Sequence, residues 1–124
     1  MSSVNRETLK SFMEAFNRHD LDSIVDFFAE DCIFYMPRGS PPRGDQYMGK
    51  DQVRAGLATR FEGIPDVYYG NDTHWACDDF GVSEWTLTGT MATGEPIEVR
   101  GVDLLEFRDG KITRKDSFWK ILQE

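Results

Sequence analysis

The segment PIEVRGVDLLEFRDGK, residues 96–111, alternates between two rows of side chains and then enters a glycine-containing turn, which predicts a β-strand followed by a hairpin. One row is apolar apart from a single carboxylate: Ile97, Val99, Gly101, Asp103, Leu105 and Phe107. The other row is mixed, so the first is predicted to face the interior. A carboxylate on an interior face costs free energy unless it has a partner or a function, which makes Asp103 the leading candidate for a functional residue.

This strand is one of four consecutive stretches with strand character: residues 67–77, 82–91, 97–107 and 112–122. The separators DDFG, ATGE and RDGK each contain glycine, which is typical of hairpin turns. The C-terminal half of the chain is therefore predicted to be an antiparallel meander.

Two helices are predicted near the N-terminus. The first follows a cap at Ser3 or Asn5, ends near Arg18 and has an apolar stripe at helical spacing: Leu9, Phe12, Met13 and Phe16. Asp20 caps the second, whose stripe has the same spacing: Leu21, Ile24, Val25 and Phe28. The segment EDCIFYMP then predicts a short strand that is stopped by Pro37.

The segment RGSPPRGDQYMGK, residues 38–50, is rich in proline and glycine and predicts a long loop, which is a candidate lid. A third helix follows and ends at Gly63 and Pro65; its apolar positions are Val53, Leu57 and Phe61. Together these elements predict an α+β fold, with three N-terminal helices covering one face of a curved, cone-like antiparallel sheet that encloses a pocket. The length of 124 residues fits one domain, residues 1–124.

Composition limits the partners that the chain can have. A formal net charge of −8 argues against nucleic acid and anionic membranes, both of which attract a basic surface. Only two cysteines occur, Cys32 and Cys77, without metal-ligand spacing, so reduced thiols are expected, although a disulfide between them stays open. The N-terminus lacks a signal-peptide pattern, and a cytoplasmic location is predicted.

Three segments carry a resemblance that covers nearly the whole chain: FMEAFNRHDLDSIVDFFAEDCIFYMP at 12–37, MGKDQVR at 48–54 and GVDLLEFRDGKITRKDSFWK at 101–120. In this order they resemble the nuclear transport factor 2-like superfamily, in its SnoaL-like and ketosteroid-isomerase-like branch. The resemblance implies the fold and a homodimer. It does not fix the function, because the superfamily contains isomerases, cyclases, hydrolases, dehydratases and noncatalytic binding modules.

The ketosteroid isomerases of this branch imply roles for three positions. Asp103 matches their protonated aspartic acid, which donates a hydrogen bond to the oxyanion of the substrate. Met36 stands where their general-base aspartate is found, and Phe12 stands where their oxyanion-hole tyrosine is found. In the epoxide-hydrolase branch, charged catalytic residues occupy or neighbour the positions of Trp85 and Ser117. The resemblance therefore implies that neither ketosteroid isomerisation nor epoxide hydrolysis is retained.

The residues themselves suggest a mostly apolar binding site around Asp103. Desolvation on an apolar wall would make this carboxyl group a base or a neutral donor; the alternative is a structural aspartate paired with a lysine or arginine. His74 is a second candidate for proton transfer. It is adjacent to Trp75 on a predicted strand, so only one of the two side chains can point inward. Lys115 is expected to be solvated; the alternative is an inward position near the pocket mouth, paired with Asp103 or with an anionic substrate. The residues predicted to contact substrate are Phe12, Phe16, Met36, Leu57, Phe61, Trp85, Ser117 and Trp119.

The leading hypothesis is a cofactor-independent enzyme for a small, largely apolar or aromatic carbonyl compound, of isomerase, cyclase or dehydratase type. Motifs for nucleophilic, nucleotide-dependent or zinc chemistry are absent from the sequence, so no cofactor or metal is implied. The alternative is a noncatalytic protein that binds a small hydrophobic metabolite. A homodimer is predicted through the outer face of the sheet, where Val102, Leu104 and Phe118 alternate.

Overall fold

The predicted meander forms the larger part of one mixed sheet in the computed structural model, which describes residues 4–122. The strands are β1 (Phe28–Tyr35), β2 (Gln46–Met48), β3 (Tyr68–Cys77), β4 (Phe80–Thr90), β5 (Pro96–Arg108) and β6 (Lys111–Trp119). They are ordered β2-β1-β6-β5-β4-β3. Strands β3 to β6 pair as three consecutive antiparallel hairpins, as the glycine-containing turns predict.

Three helices accompany the sheet: α1 (Arg6–Asn17), α2 (Leu21–Asp26) and α3 (Gly49–Gly63). Asn5 caps α1 by accepting a hydrogen bond from the Thr8 backbone N–H, and Asp20 caps α2 in the same way through Ser23. Ser3, the other candidate cap for α1, lies outside the described residues. The apolar stripe of α1 is buried as predicted, and α1 packs against β3 while α3 packs against β1.

Four details of the predicted architecture differ from the structure. Strands β1 and β6 pair in parallel, so the sheet is not purely antiparallel. Strand β2 lies inside the segment predicted as a loop, and α3 follows two strands, so only two helices precede the sheet. Helix α2 also ends at Asp26, two residues before Phe28, because Phe28 starts β1 and pairs with Ile112.

The two cysteines are both unpaired. Cys32 is buried in β1, and burial raises the pKa of its thiol, whereas Cys77 at the end of β3 is exposed. Among residues 4–122, no helix has the length and apolar character that a membrane span requires.

Candidate functional site

A row of buried polar side chains crosses four neighbouring strands. His74 pairs with Ser83, Ser83 with Asp103 and Asp103 with Ser117 in the register of the sheet. All four are buried, and with Lys115 they make up the buried polar and charged side chains of residues 4–122. Burying such groups costs free energy, so their concentration in one row marks this part of the sheet as a candidate site.

Asp103 lies on the interior face as predicted, and only 3% of it is exposed. Its Oδ2 accepts a hydrogen bond from Trp85 Nε1 at 3.1 Å, and its Oδ1 accepts one from Ser117 Oγ at 2.6 Å. Lys115 Nζ lies 3.2 Å from Oδ1 and forms a buried ion pair with it. Because an indole N–H and an ammonium can only donate, these surroundings suit an ionised carboxylate better than a protonated acid.

Lys115 is buried rather than solvated, with 5% of its surface exposed, which corrects the sequence-based expectation. Alternation along β6 directs Lys115 and Ser117 to the same face, where Lys115 Nζ donates to Ser117 Oγ at 2.7 Å. The ammonium also lies 4.6 Å from the centre of the Phe34 ring. Burial lowers the pKa of Lys115, and the charge and hydrogen bond of Asp103 oppose that shift.

Gly101 allows Trp85 to reach Asp103. A Cβ atom at position 101 would lie 2.5 Å from Cη2 of the Trp85 ring, closer than a Cβ atom approaches another carbon. The absence of a side chain on β5 therefore lets the indole of the neighbouring strand lie across it and direct Nε1 toward the carboxylate.

Tyr69 provides a neutral hydroxyl in the same region. Its ring packs edge-on against Trp85, with the ring centres 5.0 Å apart. Burial raises the pKa of the Tyr69 phenol to about 12, against the opposing charge of Arg60. The phenol consequently remains protonated at neutral pH and can donate a hydrogen bond.

These groups line one small cavity between the sheet and α3. Its wall consists of Phe16, Phe34, Met36, Gly56, Leu57, Arg60, Tyr69, Trp85, Asp103, Lys115, Ser117 and Trp119. The space open to a water-sized sphere is about 10 Å³, which holds about one water molecule. The cavity is therefore nearly filled by its own side chains in this conformation, and a larger ligand requires side chains to move.

The cavity shares part of its wall with a larger cleft at the surface. Met36, Ser117 and Trp119 line the cavity and also an outer cleft of about 470 Å³, whose far wall is the loop 37–44. Two guanidinium groups lie over the Trp119 ring, that of Arg60 at 4.6 Å and that of Arg38 at 5.5 Å from its centre. Movement of Met36 and Trp119 would join the two spaces.

Seven residues predicted for the site meet at the cavity: Phe16, Met36, Leu57, Trp85, Asp103, Ser117 and Trp119. The structure places three others elsewhere. Phe12 is packed in the core among aromatic rings, and Phe61 lies beside Phe16 and His19. His74 is bonded through Nδ1 to Ser83 Oγ and through Nε2 to Asp72 Oδ2, and it does not line the cavity.

Sequence reasoning assigned no role to five residues of the wall: Phe34, Gly56, Arg60, Tyr69 and Lys115. Arg60 had a detectable signal, because it continues the Val53 and Leu57 stripe at helical spacing. Within residues 4–122, no three His, Cys, Asp or Glu side chains are grouped closely enough to hold a metal ion.

A profile of the SnoaL-like domain matches residues 9–115, which is most of the chain. The chain belongs to the SnoaL-like domain family. One relative of this SnoaL-like chain is the uncharacterized protein YesE of Bacillus subtilis, with 29% identity over 94% of this chain and 81% of YesE.

Solved structures similar to this SnoaL-like domain have the nuclear transport factor 2-like fold. One is an NTF2-like protein of unknown function from Burkholderia pseudomallei, with a TM-score of 0.83, 24% identity and coverage of 97% of this chain and 92% of that one. Another, from Xanthomonas campestris, is provisionally named a polyketide cyclase; its TM-score is 0.81, with 22% identity and coverage of 92% and 88% of the two chains. The likeness establishes the fold.

Proposed function

We propose that this SnoaL-like protein is a cofactor-independent enzyme that acts on a small carbonyl compound, in a reaction of isomerase, cyclase or dehydratase type. The observation that carries the proposal is the buried ion pair of Asp103 and Lys115 on the wall of a small cavity that also contains the protonated Tyr69. Isomerase and polyketide cyclase are also the provisional names of two structural relatives, which supports the reaction class.

All three reaction types can begin by removal of a proton next to a carbonyl group. Asp103 is the proposed base, through Oδ2, which accepts a single hydrogen bond from protein among the described residues. The C–H electron pair moves toward the carbonyl oxygen and forms an enolate. Lys115 and Tyr69 are the proposed donors to that oxygen, since one carries a positive charge and the other remains a neutral phenol.

The fate of the enolate decides the reaction. Return of the proton from Asp103 to another carbon gives isomerisation. Attack of the enolate carbon on a second carbonyl forms a C–C bond and an alkoxide, which takes the proton from Asp103 and completes an aldol-type ring closure. Loss of a β-hydroxyl group, with a proton to balance it, gives dehydration. Phe16, Phe34 and Leu57 supply apolar contacts that exclude water from such an intermediate.

A noncatalytic binding protein is the second candidate. It is favoured by the mutual neutralisation of Asp103 and Lys115, which is also what a structural ion pair requires. It is disfavoured by the number of polar groups that share the wall with Asp103, since a site that only binds an apolar metabolite would be lined mostly by carbon.

The test separates the two candidates. The protein is incubated in D₂O with a panel of small carbonyl compounds, and loss of the α-hydrogen signals is followed by proton NMR, with a thermal-shift measurement on each compound. We expect at least one compound to exchange faster than its buffer control. Stabilisation by a compound without exchange or conversion would instead identify a binding protein.

We also propose that two copies associate through the outer face of the sheet. Phe118 is 49% exposed there, beside the half-buried Val102 and Leu104, and the main contacts of the three helices are with β1 to β4. Sedimentation at micromolar concentration should give a dimer, and Phe118→Ser should shift it toward the monomer. A wild-type monomer under these conditions would contradict the proposal.

A cytoplasmic location is proposed because neither thiol forms a disulfide. Cys32 and Cys77 are both unpaired, one buried and the other exposed, which suits a reducing compartment.

A further inference from the structure

Arg60 is the second cation of the cavity. It lies in the last turn of α3, lines the cavity together with Lys115, and forms none of the ion pairs found within residues 4–122. Arg54, on the same helix, differs because it is paired with Asp22. The cavity wall thus carries two positive charges and one negative charge, that of Asp103, inside a chain whose net charge is −8.

An excess positive charge in a partly desolvated site favours an anionic ligand. Asp103 already has Lys115 as its partner, so Arg60 is the cation available to a second carboxylate. The Trp119 ring, 4.6 Å from the guanidinium carbon, supports one face of the Arg60 group. A stacked guanidinium keeps the N–H donors around its edge for planar, two-point recognition of a carboxylate.

We infer that the ligand of this cavity is a small carbonyl compound that also carries a carboxylate, with the carboxylate bound by Arg60 and the carbonyl oxygen directed to Lys115. The carbonyl group of this ligand is inferred from the proposed function, whereas its carboxylate is inferred from Arg60 alone. The apolar part of the ligand then lies against Phe16, Phe34 and Leu57. Such a ligand is an oxo acid with a short apolar body.

The charge preference can be measured with matched probes that do not require turnover. Binding of 4-oxopentanoate and of its methyl ester is measured by isothermal titration calorimetry on the full chain. A charge-assisted contact to a guanidinium leads us to expect the acid to bind at least about tenfold more tightly than the ester. Arg60→Gln should remove that preference, whereas Arg54→Gln, which changes an exposed arginine of the same helix, should keep it.

Each outcome bears on the inference. Equal or tighter binding of the ester by wild type, unchanged acid affinity in Arg60→Gln, or no binding of either probe would overturn it. If Arg60→Gln loses the acid preference but wild type catalyses no α-hydrogen exchange in 4-oxopentanoate or the carbonyl panel, the carboxylate site stands and the catalytic proposal fails. Circular dichroism of both variants checks that they are folded.

Discussion

Replacing Asp103 with asparagine should lower the free energy of unfolding by about 3–5 kcal/mol at pH 7, which is the usual cost of leaving one member of a buried ion pair without its partner. Lys115 is the residue that becomes unpaired, since 5% of its surface is exposed and Asp103 is its salt-bridge partner. Ser117 and Phe34 remain close to the ammonium, but neither carries a negative charge. Urea unfolding followed by circular dichroism gives the value.

The pH dependence of this variant identifies the cause. Burial lowers the pKa of Lys115 and Asp103 opposes the shift, so loss of Asp103 should lower that pKa further. At a pH between the pKa of Lys115 in the folded variant and its unfolded value of about 10.4, Lys115 is protonated in the unfolded chain and neutral in the folded one. Stability therefore rises with pH across that range. We expect Asp103→Asn to regain part of its lost stability between pH 7 and pH 10.

A double variant provides the matched control. Asp103→Asn together with Lys115→Met removes both charges and keeps an amide oxygen as acceptor for Trp85 Nε1 or Ser117 Oγ, so no buried charge is left without a partner. We expect it to be more stable than Asp103→Asn at pH 7. A single variant within about 1 kcal/mol of wild type, or a double variant less stable than the single one, would show that the pair is not a coupled buried unit.

Turnover of 3-oxo-Δ5-steroids should be at least about four powers of ten below that of a competent ketosteroid isomerase. A general base typically contributes 10²–10⁴-fold and an oxyanion donor about 10²–10³-fold. Met36 lines the cavity at the position of the base and cannot accept a proton. Phe12, at the position of one donor, does not line the cavity and has no polar group.

His74 and Asp103 are the two candidates to replace the missing base and oxyanion donor. His74 does not line the cavity, and both of its ring nitrogens are already bonded, to Ser83 and to Asp72. Asp103 does line it, with Lys115 and Tyr69 as donors, but the open space beside them is about 10 Å³, which is too small to place a four-ring steroid against the carboxylate. Conjugated-enone absorbance measures the activity; robust turnover that Asp103→Asn or His74→Ala abolishes would contradict the prediction.

Local sequence patterns predicted the elements that lie close together along the chain. Alternation in β5 identified the interior face and Asp103 on it, and the spacing of Leu9, Phe12 and Phe16 identified α1. The parallel pairing of β1 with β6 was not predicted, because it joins segments about eighty residues apart and leaves no turn signal. Tertiary packing, rather than propensity, also ended α2 before Phe28.

The polar part of the cavity wall was harder to predict than its apolar part. Alternation placed Lys115 beside Ser117, but the usual preference of lysine for solvent outweighed that signal, and the nearby Asp103 and Phe34 that stabilise its burial come from other strands. Tyr69 and Arg60 lie on separate elements and meet only in the folded chain. The available clue for Arg60 was its helical spacing from Val53 and Leu57, which places a charged residue on an apolar stripe.

The central claim is that this cavity removes a proton next to a carbonyl group, and the exchange of α-hydrogens for deuterium tests it most directly. The measurement compares wild type, Tyr69→Phe and Tyr68→Phe on the compound that exchanges fastest in the panel. Tyr69 is buried on the cavity wall, whereas the adjacent Tyr68 is 54% exposed, so the second variant is a matched control.

Loss of one oxyanion donor should slow exchange by about 10²–10³-fold in Tyr69→Phe and leave it unchanged in Tyr68→Phe. Exchange that is equal in all three proteins, or that wild type does not accelerate for any compound, would contradict the account.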